Sequence, residues 1–367
     1  MSGNVLNSYA IAARRQSNFV DFGRKKAKSF FANPIIQFIL LGVVFAAIQV
    51  LRIARIIPTK YALVACNIMI YTIVSVGFCL LLGYAGLASL GSSCFVGIGA
   101  YCAFFCLSEW GVPYIGAIIM AIAIAFVLGL SIGFISLRVQ GLFLGIITMG
   151  LSEIIRIVLK NIDSRVIFIR NRFLKLFGLS AGSDYVYFVI AVIMVLVIIL
   201  IYNLMHSPTG RNMLAMKNST SAAQAFGVNL LKYRVLAFII ACVTAALTGV
   251  TFITNGSSSI NPASTSDPTL SLTLSLNVLA AVIIGGYKSL WGTFAGTVFV
   301  FGLSSIFTAF LPNIANKVAP YLLLIIGVLM IVIIMFYPGG FYQLFYLAKF
   351  KIKALKEKRR IYRYGAE

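Results

Sequence analysis

Within the apolar stretch around residues 141–160, Glu153 and Arg156 stand three residues apart. On a helix that spacing puts both on one face, where a carboxylate and a guanidinium pair. Charges inside an apolar run are costly and face a protein interior or a water-filled path. The pair reads first as a buried ion pair locking neighbouring helices, and second as a contact for a zwitterion. Neither residue reads as catalytic. The one histidine, His206, falls at a helix end, so no histidine-based metal cluster or triad can form. No GxxxxGK[ST] phosphate loop occurs, so the sequence offers no P-loop site for ATP. Cys66, Cys79, Cys94, Cys102, Cys106 and Cys242 all lie in apolar segments and form no CxxC pair, which predicts buried free thiols, with no metal, cofactor or disulfide. Asn67, Ser89, Ser92, Ser93, Thr148, Ser152 and Asn277 are the remaining polar residues well inside apolar runs. Singly, each reads as an interhelical hydrogen bond; together with Tyr84 they suit a weakly polar path.

The elements that must carry these groups are set by hydropathy. Hydrophobic residues make up 61% of the 367 residues and charged ones 10%, with a mean hydropathy of +1.01. A soluble domain cannot hide that much apolar surface; a bilayer can, at roughly 20 apolar residues per helical span. The runs are too long and continuous for barrel strands. Ten of them are readable, at about 34–51, 61–82, 86–107, 113–137, 141–160, 185–206, 235–254, 269–287, 290–311 and 319–337. The expected fold is therefore an all-α polytopic membrane protein with about ten transmembrane helices. Asn33-Pro34 and Asp267-Pro268 pair a capping side chain with a proline at the first helical position, and Pro113 and Pro320 also mark helix starts. The first apolar run begins after some thirty polar or basic residues, too late for a cleaved signal.

The net charge of +22 sits in tails and short loops, a pattern of membrane topology and lipid headgroups rather than of nucleic-acid binding. An even number of spans puts both termini on one side. The tails, with Arg138, Arg211, Lys217, Lys232, Arg234 and Lys288, place about 20 basic residues on that side against about nine opposite, which makes it the cytoplasm. The chain then divides into a basic cytoplasmic N-terminal tail (1–33), a transmembrane domain (34–340) and a basic cytoplasmic C-terminal tail (341–367). Two outer loops run against the rule: one with Arg52, Arg55 and Lys60, the other with Lys160, Arg165, Arg170, Arg172 and Lys175. They read either as outer-leaflet headgroup contacts or as a docking surface for an acidic extracellular partner.

Glycine breaks the helical pattern at 83–99 and 285–296, which echo each other loosely. The four-apart pairs Gly129-Gly133, Gly141-Gly145 and Gly292-Gly296 read as helix-packing sites. The longest internal cytoplasmic loop, 207–234, holds a helix-forming run from Asn212 to Phe226 that Gly227 is placed to end. Such a surface helix suits either a connector or a handle for a soluble partner.

Within that loop, Ser221-Ala222-Ala223-Gln224-Ala225-Phe226-Gly227 resembles the Glu-Ala-Ala-x-x-x-Gly coupling signature of ABC importer permeases, with Ser221 in place of the glutamate. Ser207-Pro208-Thr209-Gly210-Arg211 resembles the Ser-Pro-x-Gly-Arg motif of the LivM-type branch. The likeness spreads over about 60–340: Gly83-Tyr84-Ala85-Gly86-Leu87 through Gly97-Ile98-Gly99-Ala100-Tyr101, Gly150 to Arg156, Gly285-Gly286 through Leu290-Trp291-Gly292, and Phe336-Tyr337-Pro338-Gly339-Gly340 are each similar to a segment of that family, in family order. The resemblance implies an ABC importer permease fold in the bacterial plasma (inner) membrane. It implies a LivH-type sister permease, two cytoplasmic ABC ATPases that supply ATP hydrolysis, and an extracytoplasmic substrate-binding protein delivering leucine, isoleucine or valine. It implies contact with the ATPases through Ser207, Pro208, Gly210, Arg211, Ala222, Ala223 and Gly227.

Two departures leave the substrate open among branched-chain and other amino acids, urea or amides: Ser92 stands where the family has histidine, and 161–170 lacks the family's glycine-rich loop. Two other classes compete with the importer reading. A carrier driven by an ion gradient needs an ionisable relay, for which only Glu153 is on offer, already beside Arg156. A non-transporting scaffold needs none. The charge count makes one direct prediction: a cysteine at Ser221 reacts with a membrane-impermeant maleimide in inside-out vesicles and not in intact cells; labelling in intact cells would put the loop on the outer face.

Overall fold

A computed structural model describes residues 33–136, 142–162, 183–255 and 270–310, with isolated positions at 167, 175–176, 179–180 and 260 and between 321 and 341. Both basic tails, Asp267-Pro268, Pro320, Gly141, and Arg165, Arg170 and Arg172 of the second outer loop lie outside the described residues. The elements, in chain order, are α1 (Pro34–Ile53), α2 (Thr59–Leu80), α3 (Ser92–Phe104), α4 (Tyr114–Ser136), α5 (Leu142–Ile162), the paired strands β1 (Lys175–Leu176) and β2 (Leu179–Ser180), α6 (Ser183–His206), α7 (Pro208–Asn218), α8 (Thr220–Ala225), α9 (Leu230–Thr254), α10 (Leu272–Gly285), α11 (Leu290–Thr297) and α12 (Leu303–Phe310). Wider-wound π turns extend α2 through Leu81–Ala85 and α3 through Phe105–Glu109, and join α11 to α12 through Val298–Gly302. Every one of the first nine apolar runs carries a helix, and described positions of the tenth are helical too.

Among the described residues, six helices are long and apolar enough to cross a membrane; α5 adds 21 residues that include Glu153, Arg156 and Lys160. Two expectations change in detail. Asn33 precedes Pro34 in extended conformation, but its side chain makes no capping hydrogen bond; the fixed proline φ at the first position carries that helix start. The run at 269–287 yields a helix of only 14 residues, α10, about 21 Å long at 1.5 Å per residue. That is short of a hydrocarbon core of about 30 Å.

Helix α9 is the hub, packed against α3, α4 and α2; α10 and α11 pack on each other and on α2, and α1 lies on α6. The α3–α9 crossing is a backbone contact. A Cβ at Gly99 would overlap the Ala246 carbonyl, and one at Gly249 would overlap that of Val96. The α10–α11 contact repeats the device, with Gly285 against Gly292 and Gly296 against Ala281. Without a hydrophobic drive between helices in lipid, this closeness supplies the van der Waals attraction that side chains would otherwise block. Gly129 and Gly133 serve the same end less tightly, where an added Cβ would stand 3.2 Å from Cys242 Cβ and 3.4 Å from Val235 Cγ1 of α9. Along α9, Thr244, Thr248, Thr251 and Thr254 each donate back to a carbonyl three or four residues earlier, so their hydroxyls are satisfied inside an apolar core.

The ends of the bundle sort as an alternating path requires. The breaks after α2 and after α10 lie at the end that carries α7 and α8, while Ile167 and Ile260, from the loops after α5 and α9, bridge at the other. An aromatic cluster at the α7 end fastens α1: Phe38 stacks on Trp291 at 5.3 Å and meets Tyr202 edge-on at 5.8 Å. All six cysteines are buried thiols.

If backbone contact holds α3 to α9, Gly249→Leu must part the two helices and sharply reduce the folded protein recovered in mild detergent. Gly150→Leu, where an added Cβ meets nothing within 4 Å, should leave recovery unchanged. Equal recovery of both variants would refute the close-packing account.

Candidate functional site

The predicted residues gather in two places. The first is the 207–234 loop, where the order is local and polar. Ser207 caps α7: its hydroxyl donates to Leu204 O at 2.6 Å and accepts from Gly210 N at 3.4 Å, with Pro208 at the first helical position. Gly210 is buried against the α6 terminus, where a Cβ would strike Met205 and Leu204 carbonyl oxygens. Arg211 points to solvent, and Asn212 ties α7 to α9 through the Tyr233 hydroxyl at 2.7 Å.

The single helix expected from Asn212 to Phe226 is two helices. It begins earlier, at Pro208, and is interrupted at Ser219, whose extended backbone (φ −156°) lets its hydroxyl cap α8 by accepting from Ala222 N at 3.3 Å. Around it the run Asn218-Ser219-Thr220-Ser221 offers side chains that compete for backbone hydrogen bonds, the physical cause of the break. Gly227 does end α8. At φ +77° it closes a Schellman turn, its N–H donating to Gln224 O at 2.9 Å and that of Val228 to Ala223 O at 3.0 Å. Ala223 is buried, whereas Ala222 and Gly227 are exposed and Phe226 stands 88% exposed; Leu214 and Leu231 of the same loop are exposed as well.

The second place is the interior around the first break. Leu90 N donates to Thr148 Oγ1 at 2.9 Å, Gly91 N to Ser89 Oγ at 3.3 Å and Ser93 N to Ser275 Oγ at 3.0 Å. The Ser93 hydroxyl also lies 2.9 Å from that of Ser152 and 3.1 Å from that of Ser275, a buried cluster joining α3, α5 and α10. Ser89 and Ser92 line a small internal cavity walled mainly by Val74, Phe78, Phe95 and Phe238. Tyr84 is half-buried on the π turn after α2, and Asn277 half-buried on α10. Asn67 reaches elsewhere, its amide donating to Ser305 Oγ at 3.4 Å.

The Glu153–Arg156 pair is not the buried lock expected from its spacing. Glu153 and Arg156 do pair, Nε to Oε2 at 3.0 Å and Nη2 to Oε1 at 2.8 Å. Yet the Glu153 side chain is 53% exposed and that of Arg156 13%. Instead of locking neighbours together, the pair lines a groove of about 530 Å³ shared by Ile146, Met149, Gly150 and Ser152 of α5 and by Ser271, Leu272 and Thr273 at the start of α10. Because α10 is short and its other end lies at the α7 end of the bundle, this groove opens partway along the bundle, with apolar walls and a fixed positive and negative charge.

Among the residues the sequence suggested, only Ser152, Glu153 and Arg156 face the groove; Ser93, Thr148 and Ser89 serve the break behind it. Sequence reasoning passed over three groups. Ser275 lacked any pattern to mark it. Phe226 was readable only as the penultimate residue of the loop signature. Lys217 counted merely as one of many basic residues.

The family described as "Branched-chain amino acid transport system / permease component" matches residues 61–334. Among curated relatives, the high-affinity branched-chain amino acid transport system permease protein LivM of Escherichia coli K12 is 27% identical over 300 residues, 74% of this chain and 67% of its own length. The LivM of Salmonella typhimurium is 26% identical over 305 residues, 76% of this chain and 68% of its own. No solved structure is significantly similar to this chain.

Ser219 as a joint carries a prediction. Ser219→Ala removes the α8 cap, worth about 0.5–2 kcal/mol, so hydrogen exchange at the Ala222 amide should accelerate while that of α9 is unchanged. Unchanged exchange at Ala222 would show that the hydroxyl does not hold α8.

Proposed function

This chain belongs to the permease-component family of branched-chain amino acid transport systems, and from that premise we propose that it forms one half of a translocation path moved by separate ATPases. The family makes it a multi-pass membrane permease. The finer reading is that it sits in a bacterial inner membrane with both termini cytoplasmic and pairs with a LivH-type sister. Two ABC ATPases lie beneath the pair, and an extracytoplasmic binding protein delivers a branched-chain amino acid from above.

The observation that carries this is the apolar knuckle on the 207–234 loop. Phe226 at 88% exposure, on a loop that also exposes Leu214, Ala222 and Leu231, is held by two caps and a Schellman turn at the end of the bundle where the helix breaks lie. A rigid, exposed aromatic on a polar loop suits the centre of a protein interface, because such residues fill pockets on partners. Ser207, Pro208 and Gly210 fix the loop to α6. Arg211, Ala222 and Gly227 lie on its exposed side, while Ala223 seats α8 on the bundle.

The groove supports the path. A carboxylate and a guanidinium facing outward from an apolar helix are unstable against lipid tails, so protein or water must cover them. A sister permease laid over α5 would close the groove into a chamber. Its fixed pair complements the ammonium and carboxylate of a zwitterion, and Ile146, Met149 and Leu272 complement an aliphatic side chain. Ser89, Ser92 and Thr148 act as support behind this surface, and Asn67, Tyr84 and Asn277 likewise stand outside its lining.

Because Phe226 is so exposed, Phe226→Asp should leave insertion and abundance unchanged. It should cut leucine uptake by about tenfold or more in a complete reconstituted system, since an interface anchor is worth 2 kcal/mol or more. The ATPases should cease to co-purify with the variant. Full uptake with bound ATPases, or uptake that persists when the partner ATPases are deleted, would overturn the assignment.

A further inference from the structure

The π turn Leu81–Ala85 ends α2 with its carbonyls out of register, and in an apolar layer such groups need a donor from elsewhere. The donor is Lys217, in the last turn of α7. Its ammonium donates to Gly83 O at 2.8 Å and to Leu82 O at 3.2 Å. The same nitrogen lies 4.3 Å from the centre of the Tyr287 ring, in the second break, between α10 and α11.

The three segments are packed as closely as they are bonded. A Cβ on Gly86, which sits at φ +71°, would stand 3.0 Å from Lys217 Cγ. A Cβ on Gly83 would overlap the Tyr287 carbonyl, the same oxygen that accepts from the Cys79 thiol at 3.4 Å. Gly286, at φ +106°, is in turn pressed by Gly340. Burial, with the charge of Lys288 nearby, holds the Lys217 ammonium below the ordinary lysine range.

One cation therefore joins the loop to both interruptions of the bundle. From the first interruption the chain runs into α3, whose Ser93 hydroxyl meets Ser152 and Ser275 behind the groove. We propose that Lys217 is the pin through which movement of the 207–234 loop reaches the two helix breaks, a positioning residue for transport rather than a contact for substrate or ATPase. The proposal rests on the reading of that loop as the docking surface. It adds the element that a two-state coupling needs: a charged contact that either stays with both breaks as the loop moves or leaves them.

The test uses the complete complex in proteoliposomes, with permease pair, ATPases and binding protein, and reads ATP hydrolysis and leucine uptake together. In Lys217→Met the stem remains and the donor is gone. The ATPases should still co-purify and hydrolyse ATP, while leucine carried per ATP falls by about tenfold, within the usual span of coupling between sites. Lys217→Arg, which can still donate to both carbonyls over the ring, should restore most of that ratio. An unchanged ratio in Lys217→Met would overturn the pin while leaving the docking reading intact. Loss of bound ATPases in step with uptake would also overturn it, by making Lys217 a support for the loop alone. Should Lys217→Met not accumulate, Tyr287→Leu against Tyr287→Phe decides: a lower ratio for leucine only supports the pin, and equal ratios overturn it.

Discussion

Backbone amides and carbonyls that leave a helix inside an apolar layer have no water to bind, and each must be met by another protein group. In this permease that requirement falls on two glycine-rich interruptions, and the groups that answer it come from far away in sequence. Thr148 of α5, Ser275 of α10 and Lys217 of α7 each satisfy backbone around the first break. Cys79 and the Lys217 cation hold the second. Removing the interruptions would free these side chains from any shared duty; with them in place, five helices are obliged to keep one arrangement around two short stretches of chain.

Glycine makes the interruptions possible and also makes them tight. Gly86 and Gly286 adopt positive φ where the chain turns. The glycines that follow each break work differently, since they remain helical and bring α3 onto α9 and α11 onto α10 at backbone distance. The loose sequence echo between 83–99 and 285–296 thus has a shared structural meaning: a turn, then a helix smooth enough to lie against another. What this framework leaves open is the charged groove on α5 and the apolar knuckle at the end of α8.

Hydropathy made the spans legible because in a bilayer length and apolarity are set by one physical dimension. Gly227 was legible as a helix stop, and Ser207-Pro208 as part of a motif, because caps are local. What sequence could not convey was whatever depends on orientation. Glu153 and Arg156 were correctly paired by spacing, but the side of the bundle they face follows from how α5 packs on α3 and α10, which no local pattern encodes. The division of the loop helix at Ser219 had a local cause in Asn218-Ser219-Thr220-Ser221, outweighed by the good helix formers on either side. Lys217 was invisible as anything but charge, since its partners are 134 and 135 positions away. The shortness of α10 was masked because Leu270 and Tyr287 prolong the apolar run without joining the helix.

The threonines of α9 have a mechanical side. By turning their hydroxyls back onto their own carbonyls, they spend most of their hydrogen-bonding capacity within the central helix, Thr254 also reaching the Tyr114 hydroxyl of α4 at 3.5 Å. Its hold on those neighbours is therefore mainly one of shape, which resists separation more than slippage along the axis. The middle of the protein is thereby built as a lubricated bearing, while the hydrogen-bonded anchorage is kept at the two breaks, where a push can be felt.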